Sequence, residues 1–194
     1  MRALTTVALT AAGVILAACT TINVTTAPTT TSTTISAPSN TAVSGSEGFQ
    51  VNGGNMEPTL QIGSQVTVHP PQNQDGINRG AIVVFRTPAD ENCGGPPTAD
   101  LISRVIALPG ETISLSTSPN GYVMINGKRL DETWLPSSAQ GTTFPGPAGT
   151  AYNLGTSYVI PSNDYFVMGD NRRDSCDSRY WGPVPLSDVV GVAR

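Results

Sequence analysis

Short apolar runs, each cut off by Gly, Pro or Asn, limit what this chain can become. They fall at residues 65–68 (QVTV), 81–85 (AIVVF), 101–108 (LISRVIAL), 112–115, 122–125, 165–168 (YFVM) and 189–193. Most are rich in β-branched side chains and have the length of strands, and nothing long carries apolar residues at helical spacing. Asn126-Gly127, between YVMI and KRL, is a strong two-residue hairpin signal, because a tight hairpin needs positive φ at both central positions. The expectation is an all-β fold: a compact barrel or sandwich of short antiparallel strands, with at most one short helical turn. Residues 136–155 are rich in Gly, Pro, Ser and Thr and read as a long surface loop or small insertion.

The first part of the chain obeys a different logic. Residues 1–18 (MRALTTVALTAAGVILAA) hold one basic residue, Arg2, and then an apolar stretch weakened by Thr5, Thr6 and Thr10. That falls short of the run of about 20 strongly apolar residues a spanning helix needs, and has the shape of a secretory signal. An uncleaved spanning segment is the alternative. From Thr20 to Thr41 the sequence holds ten threonines and almost nothing bulky. Such a tract buries too little to offset the entropy of ordering itself and is expected to be an extended tether. Three segments result: a signal at 1–18, a tether at 19–48 and a folded β domain at 49–194.

Charge and cysteines narrow the function classes. The net charge is −4 with only 12% charged residues, which offers no basic footprint for nucleic acid. No residue pattern calls for a metal or other cofactor. Of three cysteines, Cys19 closes the N-terminal apolar run, leaving Cys93 and Cys176. In an exported protein these two are expected to be bridged, with two buried reduced thiols as the alternative. Cys176 lies in residues 169–182, GDNRRDSCDSRYWG, where three aspartates and three arginines are packed between two glycines. Arg presents a rigid fork of donors, so this mixture can build a fixed ion-pair scaffold, although a solvated charged turn is the simpler reading.

What favours the scaffold is its company. Residues 54–60 read GNMEPTL, 79–85 RGAIVVF, 101–111 LISRVIALPGE, and the fourth segment is GDNRRDSCDSRYWG. In this order the chain resembles the bacterial type I signal peptidases, membrane-bound serine endopeptidases that remove signal peptides from exported proteins. Their segments read SMxPTL, RGDIVVF, KRVxGLPGD and GDNRxxSxDSRxxG. The run LAAC at 16–19 likewise resembles the lipobox of bacterial lipoproteins, which implies that Cys19 is lipidated. The implied location is the outer face of the bacterial cytoplasmic membrane, held by that lipid anchor. The implied partners are signal peptides or other extended segments of exported proteins.

The chemistry of that family is where the chain departs. A serine nucleophile needs a base, and a lysine serves only when burial lowers its pKa. By resemblance the nucleophile position is Asn55 and the base position is Ser103. An amide nitrogen is delocalised into its carbonyl and cannot sustain acyl transfer. Ser175 matches the residue that supports the base and is expected to have lost its partner. Asp177 and Arg179 are expected to form a structural salt bridge. Gly53, Met56, Pro58, Asp170, Asn171, Arg172 and Ser178 complete the matched scaffold. Ala81 and Ser64 stand where carboxylates are common. The single lysine, Lys128, sits at a hairpin tip and the single histidine, His69, at a strand end, neither at a motif position. The expected function is a signal-peptidase-like protein, catalytically impaired or silent, that binds extended peptides. The alternatives are an active endopeptidase with a displaced nucleophile and a purely structural lipoprotein.

Overall fold

The computed structural model describes residues 23–24, 45–71, 76–86, 99–116 and 121–194. The strands are β1 (Asn23–Val24), β2 (Glu47–Gln50), β3 (Gln65–His69), β4 (Ile82–Arg86), β5 (Asp100–Ala107) and β6 (Thr112–Leu115). They continue with β7 (Val123–Ile125), β8 (Lys128–Arg129), β9 (Tyr158–Val159), β10 (Asp164–Met168), β11 (Val184–Pro185) and β12 (Val189–Ala193). Helix α1 (Ser178–Trp181) is one turn long. The larger sheet runs β1-β2-β3-β12-β4-β5-β10-β11 and the smaller β8-β7-β6-β9, with antiparallel pairing throughout. The all-β expectation holds, and Asn126 and Gly127 take the positive φ values, 51° and 75°, that the β7-β8 hairpin requires.

Alternation along three strands explains why each carries apolar residues at successive positions rather than at every second one. Val83 and Phe85 of β4, Leu101 and Val105 of β5, and Tyr165 and Val167 of β10 face one cluster together with Cys176 and Trp181. Their neighbours turn the other way. Val84 and Ile102 pack with Phe49, Val51 and Met56, while Ile106, Phe166 and Met168 pack against Ile113 and Val123 of the smaller sheet. A sheet covered on both faces has no polar side to show. Ala81 leaves its strand undisturbed, since its carbonyl still accepts from the Val105 N–H at 2.9 Å.

Two sequence expectations need correction. Within residues 19–48, expected to be a tether, Asn23–Val24 pairs with β2 and β2 itself begins at Glu47, while residues 19–22 and 25–44 lie outside the described residues. The main-chain hydrogen bonds of a sheet edge can pair two residues that have little to bury. Residues 136–155 are not merely a surface loop, because Thr143 and Leu154 are buried. Leu154 fills the cluster between the sheets, and Thr143 serves an internal ion pair described below. The signal segment 1–18, Cys19 and Cys93 lie outside the described residues. No helix among the described residues is long and apolar enough to cross a membrane.

Gly191 of β12 lets two strands close up: a Cβ there would meet Val68 Cγ1 at 2.5 Å and the His69 carbonyl oxygen at 2.6 Å. Gly191→Ala is expected to destabilise the fold by about 1–3 kcal/mol through overpacking. Gly48→Ala, which meets nothing within 4 Å, is expected to change stability by less than about 0.5 kcal/mol. Urea unfolding midpoints of the two variants check both.

Candidate active site

The site is built where the 3-10 turn Gly54–Met56 crosses β5. Gly53 enters the turn fully extended, with φ −152° and ψ 169°. Met56 anchors the turn from below, with no exposed surface among Phe49, Val51 and Ile102. Asn55 is 7% exposed, and its Nδ2 donates to the Ile102 carbonyl at 2.7 Å. Its Oδ1 is buried without a hydrogen-bond partner. Ser103, next to Ile102, is likewise buried and by alternation shares the face of Leu101 and Val105. Asn55 and Ser103 are thus brought to the same crossing of turn and strand, Asn55 held by the carbonyl just before Ser103.

The stretch 169–182 closes over this crossing from the end of β10. Asn171 donates its N–H to the Asn55 carbonyl at 3.0 Å and its Nδ2 to the Gly54 carbonyl at 3.1 Å, fixing the turn from outside. Gly169 fits between the turn and the loop: a Cβ there would overlap both the Asn55 carbonyl oxygen and the Ser175 hydroxyl. Asp177 caps α1 and collects five donors. Its Oδ1 accepts from Arg179 N–H at 3.2 Å and Arg179 Nε at 2.7 Å. Its Oδ2 accepts from Arg179 Nη2 at 2.7 Å, Ser175 Oγ at 2.9 Å and Gly169 N–H at 3.1 Å. Ser175, whose basic partner in the family resemblance would stand at the position of Ser103, donates its hydroxyl to Asp177. Ser178 accepts from the Val167 N–H at 3.0 Å and ties α1 to β10.

The other buried charges of the stretch, Asp170 and Arg172, are matched from elsewhere in the chain. Asp170 takes a bidentate fork from Arg104, Nε at 2.8 Å and Nη2 at 2.6 Å, plus the Thr59 hydroxyl at 2.5 Å. Arg172 pairs with Glu132, donates Nη1 to Thr143 Oγ1 at 2.8 Å and Nε to the Gly169 carbonyl at 3.1 Å. Arg179 uses its remaining donors on the Arg172 carbonyl at 2.9 Å and lies over the Phe144 ring at 4.3 Å. All three pairs are buried, so each charge depends on its partner. Only Arg173 and Asp174 face solvent, so the solvated-turn reading applies to these two alone.

Glu132, Thr143, Arg104 and Thr59 were not singled out from sequence. The one signal for them is arithmetic: a buried arginine fork and a buried aspartate each need counter-charges that the stretch itself does not supply. Pro58 follows a cis peptide bond and, with Glu57, Ser138, Ala139, Thr142 and Arg173, borders a cavity of about 210 Å³ beside the turn. Lys128 lies in β8 at the edge of the smaller sheet. His69 ends β3 opposite Val192, four residues along the strand from Gln65, which pairs with β2 just before the turn.

A protein-family model described as signal peptidase, peptidase S26, matches residues 7–194. Signal peptidase I V of Bacillus subtilis (strain 168) is 37% identical over 148 residues, covering 74% of this chain and 81% of that protein. Probable signal peptidase I-2 of Synechocystis sp. is 36% identical over 149 residues, covering 76% of this chain and 61% of that protein. A crystal structure of a signal peptidase I from Enterococcus faecalis V583 is 31% identical, covers 59% of this chain and 94% of that chain, and superposes with a TM-score of 0.45.

Arg179→Ala is expected to cost about 3–5 kcal/mol, because it leaves the Asp177 carboxylate buried and uncompensated. Arg173→Ala, at an exposed position of the same stretch, is expected to shift stability by less than about 0.5 kcal/mol. Guanidinium unfolding of both variants reads the difference.

Proposed function

The chain belongs to the signal peptidase family, peptidase S26, and on that premise we propose that it binds signal peptides or similar extended segments of exported proteins without cutting them. The observation that carries this reading is the state of Asn55. Its side chain is an amide engaged with the Ile102 carbonyl, at the position where the family resemblance puts the nucleophilic hydroxyl. The base position, Ser103, is a buried hydroxyl with no proton affinity to offer. Losing a nucleophile alone lowers turnover by up to about 10⁶-fold, and loss of its base adds little because the two act as one unit. Main-chain recognition of an extended peptide needs neither residue.

The displaced-nucleophile alternative has less in its favour. Ser175 donates its hydroxyl proton to Asp177, whose two oxygens already face the Arg179 guanidinium and two further N–H groups. The Asp177 oxygens are committed to this scaffold rather than to activating a nucleophile. Lys128 and His69 sit on elements that do not form the crossing at Asn55. In this reading Ser175, Asp177 and Arg179 keep the groove in shape, and Gly53, Met56 and Pro58 set the course of the turn. The protein is exported and associated with the outer face of the cytoplasmic membrane, Cys19 carries the lipid, and a Cys93–Cys176 bridge braces the site stretch. Such a bridge closes a loop of about 80 residues and contributes a few kcal/mol in the loop-entropy account.

Two measurements check this. The full chain is expected to bind a labelled signal peptide yet release no product, with turnover at least about 10⁴-fold below an Asn55→Ser/Ser103→Lys variant; cleavage by the unaltered chain at a comparable rate overturns the silent reading. Alkylation of the native exported protein without reductant is expected to leave Cys93 and Cys176 unmodified. Two labelled thiols at those positions refute the bridge.

A further inference from the structure

We infer that the cavity beside the Gly54–Met56 turn captures the free amino terminus of a polypeptide, Glu57 receiving its ammonium group and Arg173 its first carbonyl. The cavity measures about 210 Å³ and is walled by Glu57 and Pro58, by the loop that carries Ala139 and Thr142, and by residues 170–173. That is less than the roughly 300–1,000 Å³ of a site for a drug-sized molecule, and it suits one or two residues of a chain end. Capture in this cavity does not depend on the groove reading given above.

Of the four charged side chains on its walls, two are already matched. Asp170 accepts from Arg104 and from the Thr59 hydroxyl, and Arg172 is paired with Glu132. The other two are not: among the described residues neither the Glu57 carboxylate nor the Arg173 guanidinium makes a hydrogen bond or an ion pair. Glu57 folds back on the turn, since a Cβ on Gly54 would stand 3.7 Å from Glu57 Cδ and 3.8 Å from its Oε2. Its carboxylate therefore lies beside the residue that precedes Asn55. The walls are fastened to one another. Asn171 Nδ2 donates to the Gly54 carbonyl at 3.1 Å, Arg172 Nη1 donates to Thr143 Oγ1 at 2.8 Å, and Thr142 Oγ1 donates to the Ala139 carbonyl at 2.7 Å. A site preformed in this way loses little to ordering when a ligand enters.

An unpaired carboxylate and an unpaired guanidinium on one cavity call for a ligand that brings a cation and an acceptor together. A simple anion suits Arg173 but meets the Glu57 and Asp170 carboxylates on the same walls. A lysine side chain satisfies Glu57 and offers nothing to Arg173. The first residue of a chain brings both, an α-ammonium and a carbonyl oxygen on either side of one Cα, and capture of an N-terminal amine is a recurring mode of peptide recognition. The class of reaction that supplies such an end is hydrolysis of a peptide bond near the start of a precursor chain. This cavity thus takes the product of leader removal, whereas the turn beside it faces the uncut precursor.

The test measures fluorescence anisotropy with the full chain and an octapeptide that begins with alanine and carries a dye at its C-terminus. The peptide with a free amino terminus is expected to bind at least about tenfold more tightly than its acetylated form, the loss that follows removal of one charge-assisted hydrogen bond. Glu57→Gln is expected to erase that preference, and Arg173→Ala to weaken binding of the free form by about threefold or more. Equal affinity for the free and acetylated peptides overturns the capture, as does a preference that survives Glu57→Gln. Absence of binding by either peptide overturns it too. An acetylated octapeptide that begins with lysine is expected to bind no better than the acetylated alanine form; binding as tight as that of the free form rejects the chain terminus as the ligand. An acetylated, labelled signal peptide measured in parallel keeps the two readings apart. If it binds while the free octapeptide gains nothing, the groove stands and the capture falls; if it does not bind while the preference is present, the capture stands and the groove falls.

Discussion

The carboxylate of Asp177 is the fixed point of this molecule. It is fully buried, and its two oxygens gather a guanidinium fork, a hydroxyl and two main-chain N–H groups from a stretch of eleven positions, Gly169 to Arg179. A buried charge is tolerated only when its partners are held in place. The converse also holds: by demanding those partners, the charge dictates the path of the loop that bears them. Because Gly169, one of the donors, lies so near the Asn55 carbonyl that a Cβ there would overlap it, the order imposed at Asp177 reaches the turn Gly54–Met56. The shape of this region is thus set by electrostatics that do not involve the side chains of Asn55 or Ser103.

Much of the fold was legible because strands write themselves plainly. The runs at 112–115 and 189–193 coincide with β6 and β12, and the others shift by a residue or two at their ends. The paired positive-φ turn at Asn126-Gly127 was legible for the same reason: few dipeptides tolerate it. The edge strand at Asn23–Val24 was not, because its residues carry no pattern and its pairing is made by main-chain groups common to every sequence. The buried part of residues 136–155 escaped for another reason. Thr143 and Leu154 are isolated inward-facing residues in a segment whose composition signals turns, and no period connects them.

The site was legible to a different depth. Four ordered motifs placed Asn55, Ser103, Ser175, Asp177 and Arg179 in one neighbourhood, and the Asp177–Arg179 contact could be anticipated from the alternation of charges. The outer partners could not. Glu132 reaches Arg172 across 40 positions and Arg104 reaches Asp170 across 66, so nothing local announces them. Nor did the residue types reveal that Ser175 would turn to Asp177, since a hydroxyl takes whichever partner the surrounding geometry offers.

The bare Cα of Gly169 has an evolutionary consequence. The Asn55 carbonyl and the Ser175 side chain converge on a spot with no room for a methyl group, so any larger residue at that codon must push the turn and the loop apart even though the glycine has no chemistry of its own. At Asn55 the constraint is of another kind: one end of the amide is tied to the Ile102 carbonyl while the other is buried without a hydrogen bond, so the turn is held by backbone and not by that side chain alone.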